Sequence, residues 1–298
     1  MAGFKNYEVK RNKNTIRDNL FEAGRVYNKN VENLSKSDKI MNGIDLWTSF
    51  YRANPHRFVQ DYLNQNLKIF QMILIYMMNH FNYFMYIASR GQGKSFLTAI
   101  YCVTRAILYP GSKIVLASGT LQQSVNIISE KIQELYNNST NLQREICEFK
   151  TNKTDPIVRF HNGSFIRVAV SRDTARSLRG NILVVDEFRL VDLDIINKVL
   201  RKFLTSPRHP KYLDKPEYAH LQERNKEIYL SSAYYKSHWM YAKFQSYFKS
   251  MLQGKKYFTC GLPYQVSIAE GLLMKEQVVE EMQENDYDPI ALIVSALC

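Results

Sequence analysis

Apolar residues fall along this chain in two rhythms. Up to about residue 40 the sequence is polar and charged with weak periodicity, which reads as a loosely attached arm or helix. "DLWTSFYRANPHRFVQDYL" then carries Trp47, Phe50, Tyr51, Phe58, Val59 and Tyr62 at mostly helical spacing. Pro55 divides it into two helices, with Asn54 as cap of the second. From Tyr83 the rhythm changes. Short apolar runs, "YFMYIAS", "KIVLASG", "NILVVDEF" and "KEIYLSSAYY", predict buried strands. Between them "KSFLTAIYCVTRAILY", "TLQQSVNIISEKIQELYNN" (from near Thr120) and "VDLDIINKVLRKFLTS" predict helices. "PIVRFHNGSFIRVAVS" predicts a hairpin turned at Asn162–Gly163. The alternation predicts an α/β fold: a mainly parallel central sheet with helices on both faces, preceded by an N-terminal helical segment.

The run Ile69–Ser89 is nearly long enough for a membrane span. Gln71, Asn79, His80 and Asn82 interrupt it, so it reads better as a buried helix, a turn at "NHFN" and a buried strand. The 298 residues are 45% hydrophobic, enough for a sizeable core. Forty Lys and Arg against 28 Asp and Glu leave a formal charge of +12. Such an excess favours a polyanionic partner, although many basic proteins bind none. Cys102, Cys147, Cys260 and Cys298 are too dispersed for a metal-ligand pair and read as reduced thiols of a cytosolic protein, two or three of them buried. The N-terminus has no apolar signal core.

"ASRGQGKS", Ala88–Ser95, follows a predicted strand and opens a predicted helix. This is the setting a phosphate-binding loop needs, and it weighs against a glycine turn with a solvated lysine. Gly91 and Gly93 let the backbone bend and leave room for phosphate, and backbone N–H groups from Ser89 through Gln92 to Ser95 face the anion. Lys94 neutralises the β- and γ-phosphates and Ser95 presents its hydroxyl to Mg²⁺. "ILVVDEF" supplies two carboxylates at a strand end: Asp186 for Mg²⁺, Glu187 for the attacking water. Gln71, upstream, has an amide that matches the edge of adenine, and it reads equally well as a surface glutamine. Arg90, inside the loop, is a candidate for stabilising the transition state; Arg176 and Arg179 are rivals, in this chain or on a neighbour's nucleotide. Ser231, Ser232 and Ala233 end the next strand, where small hydroxyl residues can sense the γ-phosphate.

Taken in order, "NPHRFVQDYL", "LKIFQ", "SRGQGKS", "IVLASGTLQQSVNI", "SLRGNILVVDEF" and "LSSAYY" resemble the ATPase half of a phage large terminase subunit, the motor that packs DNA into tailed-phage heads. The resemblance runs from about Leu46 to about Pro289. It implies an adenine-sensing Gln71, a P-loop with Arg90, Lys94 and Ser95, a metal-binding Asp186, a catalytic Glu187 and a coupling segment Ser231–Ala233. It implies ATP and Mg²⁺ as cofactors. It implies double-stranded DNA, a portal protein and a small terminase subunit as partners, a homo-oligomeric ring, and work at the procapsid in the host cytoplasm rather than in the mature virion, with no membrane.

The domain reading that follows is an arm and lid-like helical segment at 1–65, a P-loop ATPase domain at 66–290 and a short exit at 291–298. Large terminases usually continue into a nuclease domain; nothing after Pro289 is long enough to hold one, so no nuclease activity is expected of this chain. Two other readings stand beside the motor. A two-lobed helicase-like ATPase shares the loop and the acidic pair but needs a second lobe after Tyr235. A non-enzymatic basic DNA-binding module would carry a degenerate loop.

Overall fold

A computed structural model describes residues 35–89, 91–152, 155–169 and 178–283. Arg90, Arg176, Cys298 and the expected arm before residue 35 lie outside the described residues. The chain divides into two compact units, residues 1–50 and 51–298.

Helix α1, Lys36–Ala53, has no buried residue. α2, Pro55–Asp61, starts where Pro55 stands at its first position, a place a proline fits because that N–H has no helical partner. The Asn54 carbonyl accepts its first bond, from the Arg57 N–H at 3.0 Å. The ambiguous apolar run resolves into helix α3, Ile69–His80, and strand β1, Tyr83–Ala88. Among the described residues no helix is long and apolar enough to cross a membrane. α4 follows at Lys94–Leu108 and β2 at Lys113–Ala117.

The next helix begins near Thr120 as predicted, and Thr120 caps it: its hydroxyl accepts from the Gln123 N–H, and the Gln123 side chain accepts from the Thr120 N–H. This helix is not uniform. α5, Leu121–Asn126, passes through a π-helical stretch, Ile127–Ile132, into α6, Gln133–Asn138. Then come α7, Thr140–Glu145, β3, Ile146–Lys150, β4, Ile157–Phe160, and β5, Phe165–Val168. β4 and β5 form the predicted hairpin, with Gly163 at φ +81°, a backbone geometry other residues adopt only under strain. β6, Ile182–Asp186, leads into a 3-10 turn, Phe188–Leu190, and α8, Leu193–Lys198. β7, Lys226–Ser232, α9, Trp239–Leu252, β8, Tyr257–Leu262, α10, Tyr264–Ala269, and α11, Lys275–Gln283, complete the order.

All eight strands join one sheet in the order β3-β4-β5-β2-β6-β7-β1-β8. Every pairing is parallel except the two made by β4. The central strands are buried on both faces, which is why they read as continuous apolar runs. Phe84, Tyr86 and Ala88 of β1 and Ile182 and Val184 of β6 point to one face, into a core shared with α3 and α4. Met85, Ile87, Leu183 and Val185 point to the other, against Phe188, Ile196, Phe203 and Tyr247. Cys102 is buried, Cys260 half-buried and Cys147 exposed.

A charged cluster is buried at the far end of α4. Arg105 is 2% exposed, stacks on Tyr109 and donates to Glu223 at 2.9 Å. Arg208, 4% exposed, donates to the same carboxylate at 3.1 Å. Buried Lys226 donates to the carbonyls of Asn79 and Phe81, both at 2.7 Å. Burial opposes ionisation of Glu223, but Arg105, Arg208 and Lys226 outweigh it and hold the carboxyl below its ordinary value. A lowered acid adds stability above its unfolded value, about 4.3 for glutamate, and that stability is lost as pH falls further. Glu223→Gln is expected to cost about 3 kcal/mol at pH 7, because it leaves two buried guanidinium groups unpaired. Urea unfolding at pH 7 and pH 3 checks this: the gap between wild type and variant should narrow at pH 3.

Candidate active site at three strand tips

The carboxyl ends of β1, β7 and β6 lie side by side, with β7 between the other two. After β1 the chain bends twice through left-handed glycines, Gly91 at φ +76° and Gly93 at φ +70°, and then starts α4 at Lys94. Both bends need glycine. At Gly91 the space is closed as well, since a Cβ there would lie 3.1 Å from the Leu272 carbonyl oxygen. The first N–H groups of α4 have no helical partner and stand at the loop, the arrangement that binds anions.

Gln92 is 1% exposed. Its side-chain oxygen accepts from the Tyr86 hydroxyl at 2.6 Å and from the Ser89 N–H at 2.9 Å. Its side-chain nitrogen donates to the carbonyls of Leu262 and Pro263 at 3.1 and 3.0 Å. The Gln92 side chain therefore ties the loop to the end of β8. The Ser89 hydroxyl is buried without a hydrogen-bond partner among the described residues.

Gln71, in the first turn of α3, lies in space beside the loop. A Cβ on Gly93 would sit 3.4 Å from its side-chain nitrogen. Its oxygen accepts from the Lys68 N–H at 3.0 Å and caps α3. The nitrogen is the end of this amide that faces the loop.

The two carboxylates occupy the tip of β6. The Ser95 hydroxyl donates to Asp186 Oδ2 at 3.2 Å, while Asp186 Oδ1 is buried with no hydrogen-bond partner among the described residues. Burial first, then the neighbouring Glu187 charge, pushes the Asp186 carboxyl up to about 6. An orphaned buried carboxylate oxygen beside a hydroxyl suits a hard divalent cation that takes its remaining ligands from phosphate and water. Among the described residues no group of three or more His, Cys, Asp or Glu could hold a metal ion. Ser95 and Asp186 thus fit Mg²⁺ bound together with a phosphate.

Glu187 stands at φ +46°, ψ +47°, a left-handed conformation uncommon outside glycine. The bend turns its side chain toward the other two tips. Lys94 Nζ lies 3.4 Å from Glu187 Oε1 and donates to Ser232 Oγ at 3.1 Å. The hydroxyls of Ser231 and Ser232 donate to the Glu187 carboxylate at 3.2 Å each, and the Ser232 N–H donates at 3.3 Å. Burial opposes ionisation of Glu187, but Lys94, the Ser232 N–H and Arg189 outweigh it and hold this acid below its ordinary value. Adjacent carboxylates with opposite tendencies are the pattern of a site that divides two roles between two acids. Ala233, third of the expected coupling residues, packs against the core on the same face as Phe188.

Arg179 is not at these tips. It precedes β6 and lines a cleft of about 420 Å³ with Lys113, Asn181 and Arg208. The five residues of β6 separate it from Glu187, roughly 15 Å of extended chain. Arg189 was not anticipated from sequence. It donates through Nε to Glu187 Oε2 at 3.2 Å, and an arginine two residues past an acidic pair carries no motif that would single it out.

No family model matches the sequence. No curated protein matches it. Solved structures match by shape. The ATPase domain of the Thermus phage P74-26 large terminase aligns over 80% of this chain and 95% of its own, with a TM-score of 0.55 at 12% identity. The HK97 bacteriophage large terminase aligns over 78% of this chain and 50% of its own, with a TM-score of 0.55 at 10% identity. The large terminase of a thermophilic bacteriophage, in complex with ATP-γ-S, aligns over 74% of this chain and 51% of its own, with a TM-score of 0.53 at 9% identity. The alignments span about half the length of these last two. The chain has the fold of a phage large-terminase ATPase domain.

Proposed function

We propose that this chain is the ATP-hydrolysing motor domain of a phage DNA-packaging terminase. The observation that carries the reading is the meeting of Ser95 with Asp186 at 3.2 Å beside that of Lys94 with Glu187 at 3.4 Å. A loop that cradles phosphate and an acidic pair that serves metal and water are then within reach of one triphosphate.

The roles follow from the chemistry of each group. The N–H groups of the loop and of the start of α4 hold the phosphates. Lys94 turns from Glu187 and Ser232 to the β- and γ-phosphates. Ser95 and Asp186 would hold Mg²⁺, which would neutralise phosphate charge. Glu187, kept ionised, accepts a hydrogen bond from the attacking water and orients it. Gln71 offers its side-chain nitrogen to the base. Arg90 is the arginine this reading assigns to the developing charge, with Arg176 as its rival; Arg179 is left to a neighbouring subunit's nucleotide. Ser232 bridges the lysine and the glutamate, with Ser231 on the glutamate and Ala233 next in the chain, so loss of the γ-phosphate reaches the segment after β7.

The three solved likenesses named above are terminases, one of them in complex with ATP-γ-S. The formal charge of +12 suits a double-stranded DNA substrate gripped through its backbone. A portal protein, a small terminase subunit, a homo-oligomeric ring and action at the procapsid in the host cytoplasm complete the proposal.

Glu187→Gln is expected to bind a fluorescent ATP analogue with wild-type affinity and to lose turnover by about 10²–10⁴-fold. Wild-type turnover in that variant rejects the assignment. Binding to duplex DNA should weaken steeply with salt, with log K falling by about 0.9 per phosphate contact for each unit of log salt. A flat titration removes DNA as the partner of the basic surface.

A further inference from the structure

We propose that Arg189 is a positioning residue for Glu187, one that fixes Oε2 so that Oε1 is the oxygen presented to water once nucleotide binds. The inference rests on the ATPase reading above.

Four described groups donate to this carboxylate, and the Lys94 ammonium lies beside it as an ion pair. Oε2 accepts from Ser231 Oγ, the Ser232 N–H and Arg189 Nε. Oε1 faces Ser232 Oγ and Lys94 Nζ. Two carboxylate oxygens offer about four lone-pair sites, so four donors and the adjoining ammonium leave no place for water. Lys94 is the donor that a triphosphate draws away. Its departure opens a place at Oε1, while Oε2 keeps its three partners. Without Arg189, Oε2 keeps only neutral donors, and the carboxylate can rotate toward whichever cation lies nearest.

The turn that carries Arg189 is built to hold it. Phe188 is fully buried between the rings of Tyr229 and Trp239. Leu190 fills the space beside Gly119, where a Cβ would come within 2.5 Å of the Leu190 Cβ. The guanidinium between these anchors lies 5.3 Å from the centre of the Tyr234 ring, two residues beyond Ser232. Arg189 therefore touches the water-activating acid on one side and the segment after β7 on the other. Its own side chain is 28% exposed, so replacing it leaves the core intact.

The test is steady-state ATP hydrolysis by the full chain carrying Arg189→Ala, Arg189→Lys, Glu187→Gln, and Arg189→Ala with Glu187→Gln. Arg189→Ala should lower kcat about 10- to 100-fold, as loss of a charged hydrogen bond does, with KM for ATP within about twofold. Arg189→Lys should recover part of the loss. In the Glu187→Gln background Arg189→Ala should cost nothing more, because a residue that acts through Glu187 has nothing left to act on. Wild-type kcat in Arg189→Ala overturns the inference while leaving the ATPase reading intact. So does a loss that adds in full to that of Glu187→Gln. Should Arg189→Ala unfold, Arg189→Gln carries the same comparison. Absent turnover in wild type, or full turnover in Glu187→Gln, brings down the ATPase reading itself.

Discussion

Everything in this site depends on bridging a gap of one strand. Neighbouring strands lie about 4.8 Å apart, so β1 and β6, with β7 between them, are separated by roughly 10 Å. That distance admits a triphosphate and its cation, and it is too wide for short side chains to cross unaided. The chain crosses it with Lys94 from one side and Glu187 from the other, and Ser232 accepts from the first and donates to the second. Sheet order is what makes this possible. Had further strands stood between the loop strand and the acidic strand, each would have widened the interval by about 4.8 Å, beyond the reach of a lysine. The parallel register completes the arrangement, because it brings Ala88, Ser232 and Asp186 to the same edge of the sheet.

Glu187 reaches across only because its backbone is bent the wrong way for an ordinary residue. A left-handed non-glycine residue costs about 1–2 kcal/mol. That strain is held by what surrounds it: Phe188 is locked in the core, and the Glu187 carbonyl accepts from the Leu190 N–H at 2.9 Å. The bend also separates the fates of two adjacent acids. Asp186 remains in the strand, buried, and drifts toward the neutral form. Glu187 is swung out to meet cations and remains charged. Adjacent positions in sequence thus acquire opposite electrostatic settings from one dihedral angle.

How much of this is legible in the sequence depends on where each residue finds its partners. β1, β2, β6 and β7 are legible because strands buried on both faces leave unbroken apolar runs. The Asn162–Gly163 turn and the helix start near Thr120 are legible because their bonds close within a few residues. β8 is not, since "YFTCGL" is an edge strand, mostly half-buried, whose pattern carries no clear period. β3, with a glutamate and a lysine among five residues, is masked in the same way. The chemistry of Ser95, Asp186 and Glu187 is legible from spacing, but their proximity is a property of strand order. Gln92 and Arg189 are harder still. The loop position of Gln92 marks it for phosphate, yet its side chain is engaged 170 residues away. Arg189 acquires its meaning only from the bend at Glu187.

The loop itself is set before any ligand arrives. Left-handed glycines are conformationally free in an unfolded chain, and a loop built on two of them would be a poor anion cradle if nothing else fixed it. Three contacts do. Gln92 ties the loop to Tyr86 beneath it and to Leu262 and Pro263 at the end of β8. The Leu272 carbonyl closes the space over Gly91. Gln71 stands against Gly93. These clamps come from α3, β8 and the chain beyond α10, so folding of the whole sheet supplies the order that phosphate would otherwise have to impose. Under the proposed ATPase reading, binding energy from the triphosphate is then free to move what is mobile, and the side chain with the most to gain is Lys94, which must give up a glutamate to reach a phosphate. The first consequence of filling the loop falls on Glu187, across the gap that the fold opened.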